Sequence, residues 1–343
     1  MKPTRYEINK KTGVYYVQTV EGVELPVIDI THPAFTVSEP SAAEMETMLK
    51  KSDADGANFN RMPSLLRKFF LWVFCRQSVL MRGLICSSGT YLSGMNTYLL
   101  KLGPENLGMN YRKPLDKVIA ASLPALSTRL RLQDMVQLTV QAITPVLEQR
   151  PGYPFHLINI AGGPCSDSLN ILILLRKQYP ELLKNRAIKI HAFDLESAAP
   201  TFAKRAFSAL QVQGAPLQGL NATMEYTPYN WHVTQDLHTK LSALSLQQSV
   251  VVVTAEGGLF DYGSTEDISA NLDILYALTS SDTVLTGTIT PPQRPGEGMA
   301  QVGGATTVAR SLNEFGDLAR ENGWTIIESR DRLINYVVRM HKA

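Results

Sequence analysis

Four short stretches of this 343-residue chain place paired glycines or acidic side chains directly after apolar runs, where an α/β protein builds ligand sites. The first is Asn159-Ile160-Ala161-Gly162-Gly163-Pro164-Cys165-Ser166-Asp167. Its glycines let the backbone approach a ligand closely, and Ser166 suits the N-cap of a helix whose free N–H groups would face a carboxylate or phosphate. A tight strand-to-helix corner would use the same residues. The second, His191-Ala192-Phe193-Asp194-Leu195-Glu196, ends an apolar run on an acid that could accept both hydroxyls of a ribose. The third, Val233-Thr234-Gln235-Asp236-Leu237, offers another acid to an adenine amino group, or simply caps a helix. The fourth is Thr254-Ala255-Glu256-Gly257-Gly258-Leu259-Phe260-Asp261-Tyr262, whose glutamate closes an apolar run and costs stability unless it has a partner.

The dinucleotide pattern Gly-x-Gly-x-x-Gly is absent, and Asp194 lies well beyond the ~20-residue spacing that pattern requires. This argues against a pyrophosphate and leaves room for a smaller, amino-acid-bearing nucleoside. His232 and His238 are secondary base candidates. Cys165 reads as a small space-filler, with no histidine or second cysteine placed to activate it.

These stretches need strands and helices to carry them. After Arg150-Pro151-Gly152, apolar strands alternate with helical segments, which predicts a doubly wound α/β sheet. The strands are His156 to Ala161, Ile188 to Asp194, Met224 to Val233, Ser249 to Ala255 and Thr283 to Ile289. Val250 to Val253 is the continuous apolar run expected of a parallel strand covered on both faces. Trp324 to Glu328 and Leu333 to Met340 have no helix between them and must close the sheet as an antiparallel hairpin.

Residues 1–150 read differently. Val14 to Val17 and Val23 to Ile30 are β-rich around Glu21-Gly22, a plausible hairpin turn. A polar stretch from Ser38 to Asn60 reads as helical at Ala42 to Lys50, and its Asp53-Ala54-Asp55-Gly56 lacks the spacing of a calcium loop. From Pro63 to Val146 apolar residues recur at three- and four-residue steps, with Pro104, Pro114, Pro124 and Pro145 expected to cut the segment into short helices. The expected organisation is therefore 1–150, a β-hairpin plus helical cap that supplies substrate contacts, and 151–343, a ligand-binding core.

Composition narrows the function. The net charge of +2 is too near neutral for a nucleic-acid footprint, and the apolar run from Phe69 to Cys75 is too short to span a membrane. Met1 to Lys11 shows no apolar signal region, and three widely spaced cysteines form neither a disulfide framework nor a zinc site. The expectation is a cytoplasmic protein with no metal, nucleic-acid or membrane partner, acting on a small molecule as a monomer or a homodimer.

In their order, the glycine loop, Asp194, Asp236 and the closing hairpin resemble the class I S-adenosylmethionine-dependent methyltransferases. Ala255 to Tyr262 is similar to the Glu-Gly-x-x-x-Tyr segment of the leucine carboxyl methyltransferase-like branch, which includes polyketide O-methyltransferases. Asn159, in place of an acid before the glycines, and Pro164, in place of the last glycine, depart from the pattern. The resemblance implies a Rossmann-like fold and S-adenosyl-L-methionine as cofactor. It implies cofactor contacts at Asn159, Ala161, Gly162, Gly163, Pro164, Asp194, Leu195, Asp236, Leu237, Ala255 and Glu256. The expected reaction is O- or C-methylation of a metabolite such as a carboxylate or natural-product intermediate, with Glu256 and then Tyr262 orienting the acceptor or taking its proton. In the cap, Arg82, Tyr91 and Tyr98 are the expected substrate contacts. The rival readings are a nicotinamide-dependent oxidoreductase and a non-catalytic binding protein of the same fold.

Overall fold

The computed structural model describes residues 10–85, 92–111, 113–292, 307–332 and 334–343. Strands β1 (Tyr16–Gln18) and β2 (Glu24–Pro26) form the expected small antiparallel hairpin. Helices α1 (Ala42–Arg61), α2 (Ser64–Gln77), α3 (Val79–Ile85), α4 (Gly94–Leu102), α5 (Pro114–Ala120) and α6 (Leu123–Gln149) follow. A Ser41–Glu44 capping box starts α1, which runs past the predicted Lys50 and absorbs Asp53 to Gly56 into a helix. Pro145 does not break α6. It stands near the last turn, where its missing N–H leaves little helix to support.

The core comprises β3 (Phe155–Ile160), α7 (Ser166–Gln178), α8 (Pro180–Leu183), β4 (Ile188–Asp194), α9 (Ala198–Leu210) and β5 (Ala222–Pro228). It continues through α10 (Gln235–Ser242), β6 (Val250–Ala255), α11 (Leu259–Tyr262), α12 (Thr265–Leu278) and β7 (Val284–Ile289). Helix α13 (Leu312–Glu321), β8 (Trp324–Asp331) and β9 (Tyr336–Lys342) complete the chain. The seven-stranded sheet has the order β5-β4-β3-β6-β7-β9-β8. All pairs among its first five strands are parallel, whereas β9 runs antiparallel to both β7 and β8. The Rossmann-like sheet with a closing antiparallel pair, read from the sequence, is borne out. The third strand is shorter than predicted: it ends at Pro228, paired with Asp194, and the Tyr229 N–H makes the last bond to the β4 backbone, at the Asp194 carbonyl (2.9 Å).

Alternation along the strands decides what covers each face. Leu157, Val252 and Val284 join a core with α6, α7 and α9, while Ile158, Val253 and Leu285 meet α10, α12 and α13. Helix α6 thus covers the sheet directly, and the first core also takes in Leu25, Val27, Ile28 and Ile30. Tyr98 fixes that N-terminal run, its hydroxyl donating to the Pro26 carbonyl at 2.6 Å and accepting from the Ile28 N–H at 3.1 Å. One apolar core therefore crosses residue 150.

On the second face, His156 and His191 stack 5.1 Å apart with Nδ1 and Nε2 at 3.0 Å. Burial pushes both imidazoles down to about 4, so they are neutral in the folded chain. The unfolded chain takes up these protons first, so the pair's contribution is intact above its ordinary pKa and fades as pH falls towards 4. Each histidine loses about 1.4 kcal/mol per pH unit in that window. Asp167 and Asp194, raised to about 6, act in the opposite sense over much of it. A comparison with a His156→Leu/His191→Leu variant isolates the histidines. The gap in urea midpoint between wild type and variant should shift against the wild type as pH drops from 7 to 4.5; a constant gap contradicts this reading.

Candidate functional site

A cavity of about 510 Å3 opens at the carboxyl ends of β3, β4 and β6. Its floor is the glycine loop from Ala161 to Pro164, one side is Asp194 to Glu196, and another is Glu256 to Gly258 with Tyr262. Gly83 of α3 and Leu92, Ser93, Gly94, Asn96, Thr97 and Lys101, at and along α4, close it from the cap; Trp231 completes the wall.

The glycine loop is bent by three residues in the left-handed region, Ala161 (φ 53°), Gly163 (φ 58°) and Cys165 (φ 50°). Cys165, rather than Ser166, occupies the N-cap of α7. Asn159 holds this strained path: its Oδ1 accepts from the Gly162 N–H at 3.1 Å and its Nδ2 donates to Asp167 Oδ1 at 2.8 Å. Helix α4 begins against the loop with no room for a side chain, since a Cβ on Gly94 would lie 2.7 Å from the Gly163 Cα. That glycine contact, absent from the sequence reading, is what brings the cap to the loop.

Asp194 accepts from the Gly163 N–H at 3.0 Å through Oδ2 and from the Glu196 N–H at 2.9 Å through Oδ1. A carboxylate has about four lone-pair positions, so capacity remains for two further donors from the cavity. Burial raises its pKa to about 6 despite these bonds.

Glu256 is buried at the end of β6 with both oxygens engaged. Lys101 Nζ donates to Oε2 at 2.6 Å and Arg131 Nε to Oε1 at 3.2 Å. Burial acts to raise its pKa, and the two cations outweigh burial and hold it below the ordinary carboxylate value. This corrects the expectation of a proton-accepting Glu256: the side chain is an ionised partner to two buried cations, with little basicity to offer an acceptor. Lys101 and Arg131 are the site residues that sequence reasoning missed. For Lys101 the available signal was a lone cation in the apolar run Leu99-Leu100-Lys101-Leu102; Arg131, in Arg129-Leu130-Arg131-Leu132, offered none.

Among the other expected residues, Ala161, Gly162, Gly163, Pro164, Asp194, Leu195 and Tyr262 line the cavity with Glu256, while Asn159 and Ala255 support it from behind. Four do not reach it. Asp236 is exposed on the first turn of α10 because β5 ends early, and Leu237 beside it is buried in the core under that helix. Arg82 is exposed, its Nε donating to the Cys75 carbonyl at 3.2 Å, and Tyr98 is spent on the N-terminal run. Tyr91 lies outside the described residues.

Counted from β3, the strand order is 3-2-1-4-5-7-6, with the seventh strand antiparallel between the fifth and sixth. The chain has the class I S-adenosylmethionine-dependent methyltransferase fold. It is similar to the solved structure of a possible exported protein from Bordetella parapertussis, at 16% identity and TM-score 0.58, covering 89% of this chain and 97% of that one. A magnesium protoporphyrin IX methyltransferase from Synechocystis, solved with bound S-adenosylmethionine, aligns at 14% identity and TM-score 0.40 over 64% of this chain and 83% of its own. An O-methyltransferase from neocarzinostatin biosynthesis aligns at 16% identity and TM-score 0.37, over 64% and 58%. No family model and no curated sequence matches the chain.

The buried cluster makes a direct prediction. Glu256→Gln leaves two cations without their carboxylate and should cost about 3–5 kcal/mol of stability, whereas Lys101→Met leaves Glu256 paired with Arg131 and should cost less. Urea unfolding of the double variant should show a loss smaller than the sum by about 0.5–3 kcal/mol. Strict additivity would mean that the two side chains do not depend on each other.

Proposed function

We propose that this protein is a methyltransferase that uses S-adenosylmethionine to methylate an oxygen or carbon of a small-molecule metabolite. The observation that carries the proposal is one cavity joining a buried acid after the second core strand, a tight glycine loop and a buried lysine–glutamate pair. Its volume falls within the roughly 300–1,000 Å3 of small-ligand pockets. Bound there, the cofactor would supply a methyl group activated by a sulfonium centre.

The chain's own residues have the remaining work. Asp194 has lone pairs left for two ribose hydroxyls, and Leu195 and Trp231 present apolar surface suited to a purine. Lys101 spends one of its three donors on Glu256 and keeps others for the carboxylate of the methionine moiety, while Glu256 suits that moiety's ammonium group. The glycine loop lets both ends of the ligand lie against backbone. Leu92 to Thr97 cover the cavity and exclude water, leaving Asn96, Thr97 and Tyr262 to meet the acceptor. With Glu256 held by its cations, the chain's main contribution is alignment and desolvation of an acceptor in line with the methyl carbon.

Isothermal calorimetry with S-adenosylmethionine, S-adenosylhomocysteine and NAD tests this reading. The first two should bind and NAD should not; binding of NAD alone would move the chain to dinucleotide chemistry. Asp194→Ala should weaken S-adenosylhomocysteine binding by about 1–3 kcal/mol, whereas Asp236→Asn, on the exposed turn of α10, should leave it unchanged. The raised pKa of Asp194 adds a pH signature. Its carboxylate is lost as pH falls through about 6, so affinity should decline below that value in the wild type and not in Asp194→Asn.

A further inference from the structure

Asp167 is a fully buried acid whose hydrogen bonds do not require its charge. It stands on the first turn of α7, beneath the glycine loop. Its Oδ1 accepts from Asn159 Nδ2 and from the Ser168 N–H, both at 2.8 Å, while Oδ2 meets no hydrogen-bond donor among the described residues. Asn159 in turn accepts from the Gly162 N–H at 3.1 Å, so one amide group separates this carboxylate from the cavity floor. An asparagine at 167 could accept the same two bonds through its own Oδ1 without burying a charge. The start of α7 favours an anion, though only modestly beside the cost of burying a carboxylate. Burial pushes the Asp167 pKa up to about 6, with Glu256 adding to the shift, so the group is mainly ionised near pH 7.5.

Taking S-adenosylmethionine as the ligand of this cavity, a reading on which the inference rests, we propose that Asp167 is the buried charge that favours the sulfonium cofactor over its uncharged thioether product. The two ligands differ by one positive charge on sulfur, and the surroundings of the cavity are arranged around that difference. Glu256 with Lys101 and Arg131 forms a cluster of net positive charge, which on its own would disfavour a cation. Asp167 supplies the compensating negative charge, and Glu256 and Lys101 are both near enough to act on its titration. Glu196 in the cavity wall is exposed, so water and salt screen it. Asp194 adds a further negative charge in the wall, but it also bonds the loop and faces the ligand, so its charge and its contacts act together. Asp167 acts through its field alone, and between buried groups that field is little weakened by solvent. Methyl transfer removes the positive charge from the bound ligand, so the same carboxylate that draws the cofactor in ceases to hold the product. Its service is to loading and release, since stabilising the sulfonium before transfer does nothing for the chemical step.

Calorimetric titration of the full chain near pH 7.5 with S-adenosylmethionine and S-adenosylhomocysteine, wild type beside Asp167→Asn, tests this directly. The variant should keep its urea midpoint and hold its S-adenosylhomocysteine affinity within about twofold, yet lose on the order of tenfold in affinity for S-adenosylmethionine. Equal changes for both ligands would make Asp167 a structural acceptor and overturn the proposal. The wild type gives a second readout that needs no substitution. On raising NaCl from about 20 to 500 mM, the ratio of the two affinities should stay within about twofold, because a buried charge is poorly screened. A ratio that moves steadily against S-adenosylmethionine would assign the preference to exposed Glu196 and overturn the role of Asp167. Failure of the wild type to bind either ligand removes the cofactor reading and this inference with it, whereas equal changes in Asp167→Asn remove this inference alone.

Discussion

The site depends on a carboxylate and two cations sharing one dry space at the end of β6. Glu256 belongs to the sheet, Lys101 to α4 and Arg131 to α6, so their contact joins the cap to the sheet at the cavity. Buried ion pairs are weak sources of net stability, because desolvation consumes most of what the attraction returns. Their value here is positional. A misplaced α4 would strand Lys101 and Glu256 as unpaired charges, a penalty that apolar packing alone would not impose. The same contact holds the remaining donors of Lys101 near the cavity.

Around that pair the backbone is held in costly shapes. Residues outside glycine in the left-handed region cost about 1–3 kcal/mol each, and two of them, Ala161 and Cys165, flank the turn below the cavity. Asn159 and Asp194 hold the turn from two sides, and the start of α4 presses on it at Gly94. Strain is tolerated because every neighbour determines the same path. Asp194 thereby has two tasks, fixing the loop and facing the ligand, and its raised pKa reflects the burial that the first task imposes.

Much of this was legible in the sequence because parallel strands, buried on both faces, announce themselves as apolar runs. Val250 to Val253 and the helix-free link between the last two strands were enough to give the sheet and its antiparallel close. The glycine loop and Asp194 could be placed because each stands at a strand end. Asp236 could not, since the apolar run from Met224 to Val233 gives no local sign that β5 leaves the sheet after Pro228. Lys101 was hidden for the opposite reason, since it sits in an apolar run that reads as packing, and Arg131 reads as one of two surface cations; only the fold shows that both meet Glu256. Helix α2 was legible as a helix from its three- and four-residue periodicity, and its exposure was not, because periodicity reports an apolar face and not what covers it.

Cap and sheet together enclose one cavity around Lys101 and Glu256. Amide hydrogen exchange of the full chain, with and without S-adenosylhomocysteine, tests it most directly. Slowed exchange should appear together in Ala161 to Pro164, Asp194 to Glu196 and the first turn of α4 around Gly94 to Thr97. Protection confined to the sheet loops, with α4 unchanged, would contradict a shared cavity.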